Sequence, residues 1–317
     1  MNLIQSLRTI SNAEGEGPVD WNAVTRAAVA ATDAGSLALS TSEEQGYSTD
    51  VREARVAVER TATIDFSLPK TIEIQNRHHW IEANVETFQR IMEPLADRHR
   101  TPIPGAARIM NTASMTAALA FLGRNVLGQY DPVLLADDAE HSLYFVHPNI
   151  QRVATDLDVE EDRFRRWIAF HEVTHAAEFA AAPWLPDLLE ENVLEGIDAL
   201  ATGRIDREAF RSLDATMTAV EGYAELLMDE AFDRETADLR EKLDERRRRS
   251  GPIGQLFRRL LGLEIKRRQY ERGKAFFESV TRKHDIETAG LVWQSPDHLP
   301  TWDEFDNPDT WLARIDP

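Results

Sequence analysis

His171-Glu172-Val173-Thr174-His175 spells HExxH. In a helix, residues i and i+4 share a face, so the two imidazoles can grip one zinc ion. Glu172, beside the first histidine, is then placed to move the protons of a water held there. The chemistry this predicts is metal-assisted hydrolysis, most often of peptides. Such a zinc needs a third protein ligand. The chain has no cysteine, so that ligand must be histidine or carboxylate.

At 100° per residue, Phe164, Trp167, Ile168, His171 and His175 fall in one narrow sector, so the histidines continue an apolar stripe and should face inward. The metzincin extension would need Gly at 178 and His at 181. Glu178 and Ala181 stand there, which excludes that class. Glu178 shares a face with His171 but lies about 10 Å along the axis, too far to complete a three-ligand site. A carboxylate from a later helix remains, the His-His-Glu arrangement. Glu195, after His175 by a spacing like that of the thermolysin group, points away from the stripe Leu185, Leu189, Val193 and Leu200. Glu221 lies inside the stripe Phe210, Leu213, Met217, Val220, Ala224 and Met228. A carboxylate on an apolar face is costly unless paired or coordinated, so Glu221 is the preferred third ligand. A buried salt bridge to an arginine is the other reading of its position. Glu225, one turn on, is expected to hydrogen-bond a ligand histidine. For an oxyanion stabiliser, Tyr130, Tyr144 and His147 stay open as candidates.

Composition narrows the function classes. With 317 residues the chain can bury a sizeable core. Asp and Glu number 55 against 36 Lys and Arg, a net charge of −19, which argues against a general nucleic-acid binder. Lysine occurs only at 70, 242, 266, 274 and 283. An acidic, lysine-poor, cysteine-free chain resembles proteins of salt-loving archaea, where salt screens carboxylate repulsion. No apolar run is long enough to span a membrane. The first residues lack the apolar core of a signal peptide, so a cytoplasmic location is expected. From Lys242 to Lys283 the charge reverses, with Arg246-Arg247-Arg248-Arg249 at its start. Solvated helix faces explain such a run; a docking strip for an anionic partner is the rival.

The elements that must position these residues are mostly helical. Helices are predicted from Asp20-Trp21, over Thr49–Thr61, from Arg77, over Gly105–Gly128, Val159–Ala182, Pro186–Thr202, Asp206–Phe232, Thr236–Arg249 and Glu264–His284. Two strands, Pro132–Ala136 and Ser142–Val146, flank the polar turn Asp137–Glu140 as a hairpin. The tail from Gly290, rich in Pro, Trp and Asp, is expected to be irregular. The fold class is therefore mainly α, a helical metallohydrolase with a small β-hairpin or sheet next to the HExxH helix. An N-terminal helical region (1–128) precedes a catalytic region (129–317), and the two are expected to pack as one compact unit.

Several scattered segments carry a family resemblance: Val19-Asp20-Trp21, Leu127-Gly128-Gln129-Tyr130-Asp131-Pro132, Val146-His147-Pro148-Asn149-Ile150, Trp167 through His175, Pro183-Trp184-Leu185, Val220-Glu221-Gly222-Tyr223, Leu261-Gly262-Leu263-Glu264 with Lys266, Gln269-Tyr270 and Gly273, then Trp293, Leu299-Pro300-Thr301 and Trp311. Together they resemble the type 2 zincin-like metallopeptidases, a group associated with biosynthesis of the deazaflavin coenzyme of archaea and actinobacteria. The resemblance implies a mostly helical zincin fold with one Zn²⁺, and it names no substrate. It also makes the 261–273 stretch a family feature, so the arginines around it read as structural.

The expected mechanism has His171, His175 and Glu221 holding zinc, with Glu172 as general base. The strand Ser142–Val146 is expected to border the cleft and pair with an extended substrate. The partner is a peptide or small amide, with no nucleic acid and no membrane. Three rivals remain: a zinc-stabilised scaffold without turnover, a small-amide hydrolase of coenzyme metabolism, and a structural helical protein with core histidines.

Overall fold

The computed structural model describes residues 1–15, 17–96, 104–132, 141–201, 207–232, 239, 242 and 263–317. Contacts group the chain into two units. One comprises Met1–Ala38, Thr71–Val153 and Leu194–Ile205; the other comprises Leu39–Lys70, Ala154–Val193 and Asp206–Pro317.

In the first unit, helices α1 (Leu3–Ser11), α2 (Trp21–Ala31), α4 (Arg77–Ala96) and α5 (Pro104–Asn125) accompany a three-stranded sheet. The Asp20 side chain caps α2 by accepting from the Ala23 N–H. Val24, Ala28, Trp80, Ile81, Leu119 and Val146 form the core. The sheet runs β1 (Thr71–Gln75), β3 (Ser142–Val146), β2 (Gly128–Asp131), with β1 parallel and β2 antiparallel to β3. Gly128 pairs with Phe145 and Asp131 with Ser142.

The predicted hairpin needs correcting. Its second strand stands, but the first lies earlier, at Gly128–Asp131, and stops before Pro132, which has no N–H to donate. Residues 133–140, where the rest of the predicted strand and its turn fall, lie outside the described residues. The helix predicted to reach Gly128 ends at Asn125. There the Asn149 amide donates to the Gly123 and Val126 carbonyls, and Val146 N–H to Leu127 O, which draws the chain into the sheet. β1 was not predicted; its Ile72 and Ile74 lie on an edge strand, where half-exposure weakens the apolar signal.

The helix α6 (His147–Leu157) starts where β3 ends, before the predicted helix at Val159. The boundary between the units falls within α6.

In the second unit, α3 (Thr41–Ala62) begins eight residues before its predicted start. Ser40 and Glu43 form a capping box that fixes the true N-terminus. α3 packs on α7 (Glu161–Ala181), which packs on α9 (Arg207–Ala231), which packs on α10 (Leu263–Lys283). Arg165 of α7 is buried against Asp50 of α3 at 2.7 Å, with its guanidinium over the Tyr47 ring. The helix α8 (Leu185–Ala201) follows α7 and crosses the unit boundary. The predicted helix Thr236–Arg249 falls almost wholly outside the described residues, as does the arginine run 246–249.

The tail is not irregular. It forms α11 (Ile286–Gly290), two 3₁₀ turns (Leu291–Trp293, Pro296–His298) and α12 (Pro308–Ile315). Its tryptophans anchor it: Trp293 and Trp311 are fully buried, edge-on to Tyr223 and Phe276. Three cations of the basic segment pair with carboxylates of the same unit. Arg272 binds Asp306 and lies 3.7 Å over the Trp302 ring, Lys274 binds Asp229, and Lys283 binds Asp309.

Candidate metal centre

The centre lies within the second unit, on α7 and α9. α7 is buried on almost every side, and Phe164, Trp167 and Ile168 lead its inward face to His171 and His175 as the helical phase predicts. Residues 218–228 of α9 are buried without a break, so a carboxylate there cannot turn to solvent. α9 is fixed from behind by α10, where Gly222 meets Gly273. A Cβ on Gly222 would come within 2.4 Å of the Gly273 backbone. Only two residues without side chains allow helix axes so close, and the residue beside this contact is Glu221.

The donor atoms converge. His171 Nε2 and His175 Nε2 are 3.2 Å apart, and Glu221 Oε2 is 3.8 and 3.9 Å from them. The imidazole side chains are 13% exposed and the carboxylate 5%. Ligands at zinc bond lengths in a tetrahedron stand about 3.3 Å apart. The histidine pair already has that separation, and Glu221 needs to close by about half an ångström, within reach of a side-chain rotation. The residues therefore fit a His-His-Glu zinc site.

Sequence reasoning missed Glu178. It was set aside as too distant to be a ligand, yet it serves a ligand: its carboxylate is fully buried and takes a 2.8 Å hydrogen bond from His175 Nδ1. That bond puts the proton on Nδ1 and leaves the Nε2 lone pair facing His171 and Glu221, the tautomer a metal requires. The i, i+3 spacing of His175 and Glu178 on one helix was the available signal. The Trp167 ring stacks on His171, with centroids 5.8 Å apart and planes 9° from parallel.

The local field favours positive charge. Burial pushes the His175 pKa down, but the hydrogen bond to Glu178 and the charges of Glu178, Glu221 and Glu172 outweigh it and raise the pKa to about 9. Burial raises Glu178 to about 7, opposed by His175 and reinforced by Glu221. A pocket that retains a proton this firmly will also attract a divalent cation.

The other predicted positions are placed as follows. Glu172 is buried on α7, and Glu225 is buried one turn beyond Glu221 on α9. Glu195 is exposed and does not belong to the cluster of donor atoms that His171, His175 and Glu221 form. Tyr130, Tyr144 and His147, the open oxyanion candidates, belong to the first unit.

Two imidazoles and a glutamate from crossed helices, with a glutamate following the first histidine, define the class: a helical HExxH protein with a His-His-Glu donor set. The chain belongs to the zincin-like metallopeptidase family, whose pattern it matches over residues 19–204 and 197–312. It is also similar to a crystal structure from Chloroflexus aurantiacus, of a protein proposed to be a hydrolase and described as having a novel fold. The two share 28% identity and a TM-score of 0.79, over 94% of this chain and 99% of that one. No curated protein matches it.

Several segments that carried the resemblance do structural work. Trp80 donates to Gln129, and Gln129 donates to Asn84. Arg77 binds the Asn149 side chain and the Pro148 carbonyl, and Trp184 donates to the Trp293 carbonyl.

Proposed function

We propose that this protein is a zinc-dependent hydrolase that cleaves amide bonds, with peptides as the favoured substrate class. The observation that carries the reading is the convergence of His171 Nε2, His175 Nε2 and Glu221 Oε2 beside the buried Glu172. Zinc bound there would supply Lewis acidity, lowering the pKa of water and polarising the scissile carbonyl.

The chain's own residues do the rest. His171 and His175 hold the ion through Nε2, and Glu221 adds one negative charge from the opposing helix. Glu178 keeps the Nδ1 proton of His175 in place. Glu225, one turn along α9 from Glu221, is assigned a supporting hydrogen bond to the ligand set. Glu172 accepts the proton of the attacking water at its carboxylate and delivers it to the leaving amine nitrogen. Trp167 keeps water from one face of His171 by stacking on it. The acidic, lysine-poor, cysteine-free composition further supports a salt-rich setting. The association with deazaflavin coenzyme chemistry rests on the family resemblance alone.

A metal-holding scaffold without turnover is the reading that the low exposure of the three donors favours. Zinc content and cleavage of a peptide library, measured for wild type and Glu172→Gln, separate the two. A hydrolase gives one zinc per chain in both proteins, with cleavage in wild type that falls about 10²–10⁴-fold in the variant. One zinc in both and cleavage in neither rejects the hydrolase in favour of the scaffold. No zinc uptake by wild type rejects the metal centre itself.

A further inference from the structure

The exposed apolar surface of the first unit is concentrated, and it lies where the charge is anomalous. α1 carries Leu3, Ile4, Leu7 and Ile10 within about 120° of arc at 100° per residue. That stripe should face the core. Instead α1 turns Ser6 inward and leaves Leu3, Ile4 and Leu7 55%, 67% and 66% exposed, with Met1 exposed beside them. α5, which touches α1, adds exposed Ile109 and Met110. Six of the eight large apolar residues exposed among the described residues therefore lie on these two neighbouring helices or at the start of α1.

The charge pattern is independent of this. Asp and Glu make up 55 of 317 residues, yet α1, α2 and α5 contain none. Their charges are Arg8, Arg26, Arg108 and Arg124. At the chain's average acid content, 42 helical residues would hold about seven carboxylates. The helices that carry the face are apolar there and contribute no carboxylate; Glu14 and Asp20 stand in the connection between α1 and α2.

We propose that this face is the contact through which two copies of the chain associate, α1 against α1 about a two-fold axis. An isologous contact sets the same patch on itself, and α1 presents a self-complementary apolar stripe. The exposed side chains offer roughly 600 Å² of apolar surface per chain, near the about 800 Å² per partner of a standard interface. Gln5 and Arg8 supply a polar rim. Two chains of charge −19 meet with least opposition where the facing helices carry no carboxylate, and salt strengthens the pairing by screening the carboxylates elsewhere. An anionic lipid surface fits less well, since it is repelled by the net charge, and α1 is a short helix with a single basic residue.

The test is the solution mass of wild type and of Leu3→Glu/Leu7→Glu by sedimentation velocity in 0.15 M and 1 M NaCl, with circular dichroism of both. The substituted side chains are solvent-exposed in the single chain, so the helical signal is expected to persist. Wild type should sediment at twice the 35.9 kDa chain mass, with tighter association at the higher salt. The variant should associate at least about a hundredfold more weakly. Wild type that stays monomeric at 100 μM in both salts overturns the proposal, as does a variant that dimerises like wild type. Wild type that is monomeric and floats with phosphatidylglycerol vesicles overturns it in favour of a lipid partner.

Discussion

Replacing Glu178 with Gln tests the metal centre at a residue that does not touch the metal. The 2.8 Å bond from His175 Nδ1 ends on a fully buried carboxylate. Gln keeps an acceptor of the same reach and removes the charge. Loss of a carboxylate partner to a ligand histidine typically weakens metal binding 10–100-fold, or about 1.4–2.7 kcal/mol. A second effect opposes it. Without metal, the bond to Glu178 and the surrounding carboxylates raise the His175 pKa to about 9, so at pH 7 zinc must displace a proton to bind. The raised pKa makes the sign definite: apparent affinity rises with pH up to about 9 and then levels. In Glu178→Gln, one of the groups that raise that pKa loses its charge. The proton is held less tightly, and the variant recovers part of its loss at neutral pH. The expected result is a deficit near 10–100-fold at pH 9 that narrows toward pH 7. Zinc affinity by competition with a chromophoric chelator, read from pH 6.5 to 9.5, measures both. A deficit below threefold at pH 9, or one that widens toward pH 7, refutes the assignment of Glu178 as the partner of a zinc ligand.

Further expectations follow from the same geometry. Glu221→Ala should lower zinc affinity by two orders of magnitude or more, whereas Glu195→Ala should leave it within about twofold, since one removes a charged donor and the other an exposed side chain; the same chelator competition reads both. Gly222→Ala forces a methyl group against the Gly273 backbone, so it should cost roughly 1–3 kcal/mol in urea unfolding, with zinc affinity falling as Glu221 shifts. An unchanged midpoint would remove the helix contact from the explanation. Arg165→Ala strands the carboxylate of Asp50 in a site where both partners are nearly buried, and should cost about 3–5 kcal/mol of stability at pH 7. A loss below 1 kcal/mol would mean the pair is solvated in solution.

Some of the architecture is written locally. The i, i+4 spacing fixes His171 and His175 on one face, and the apolar periodicity of 164–175 turns that face inward. The cost of leaving a carboxylate on the apolar side of α9 points to Glu221, whose Oε2 lies 3.8 and 3.9 Å from the two Nε2 atoms. Asp20 and the Ser40–Glu43 capping box mark helix starts because they satisfy N–H groups within a few residues of themselves. The Ser40–Glu43 and His175–Glu178 pairs are equally local signals, each spanning three residues of one helix end or face.

Other features depend on partners far away in sequence. β1 is a strand because β3, some 70 residues later, lies beside it; five residues of which only Gln75 is buried specify no such pairing. The end of α5 is set by Asn149, which competes for carbonyls that a helix would use. The outward turn of Leu3, Ile4 and Leu7 contradicts the pattern of α1 alone, since the choice of which face to bury belongs to the surface it docks on. The distance from Glu221 to the histidines is decided where Gly222 meets Gly273, because backbone can approach backbone only where neither residue carries a Cβ. Local spacing sets which groups can hold a metal and which way each faces on its own helix. The packing of α7 on α9 brings those groups close enough to hold it together.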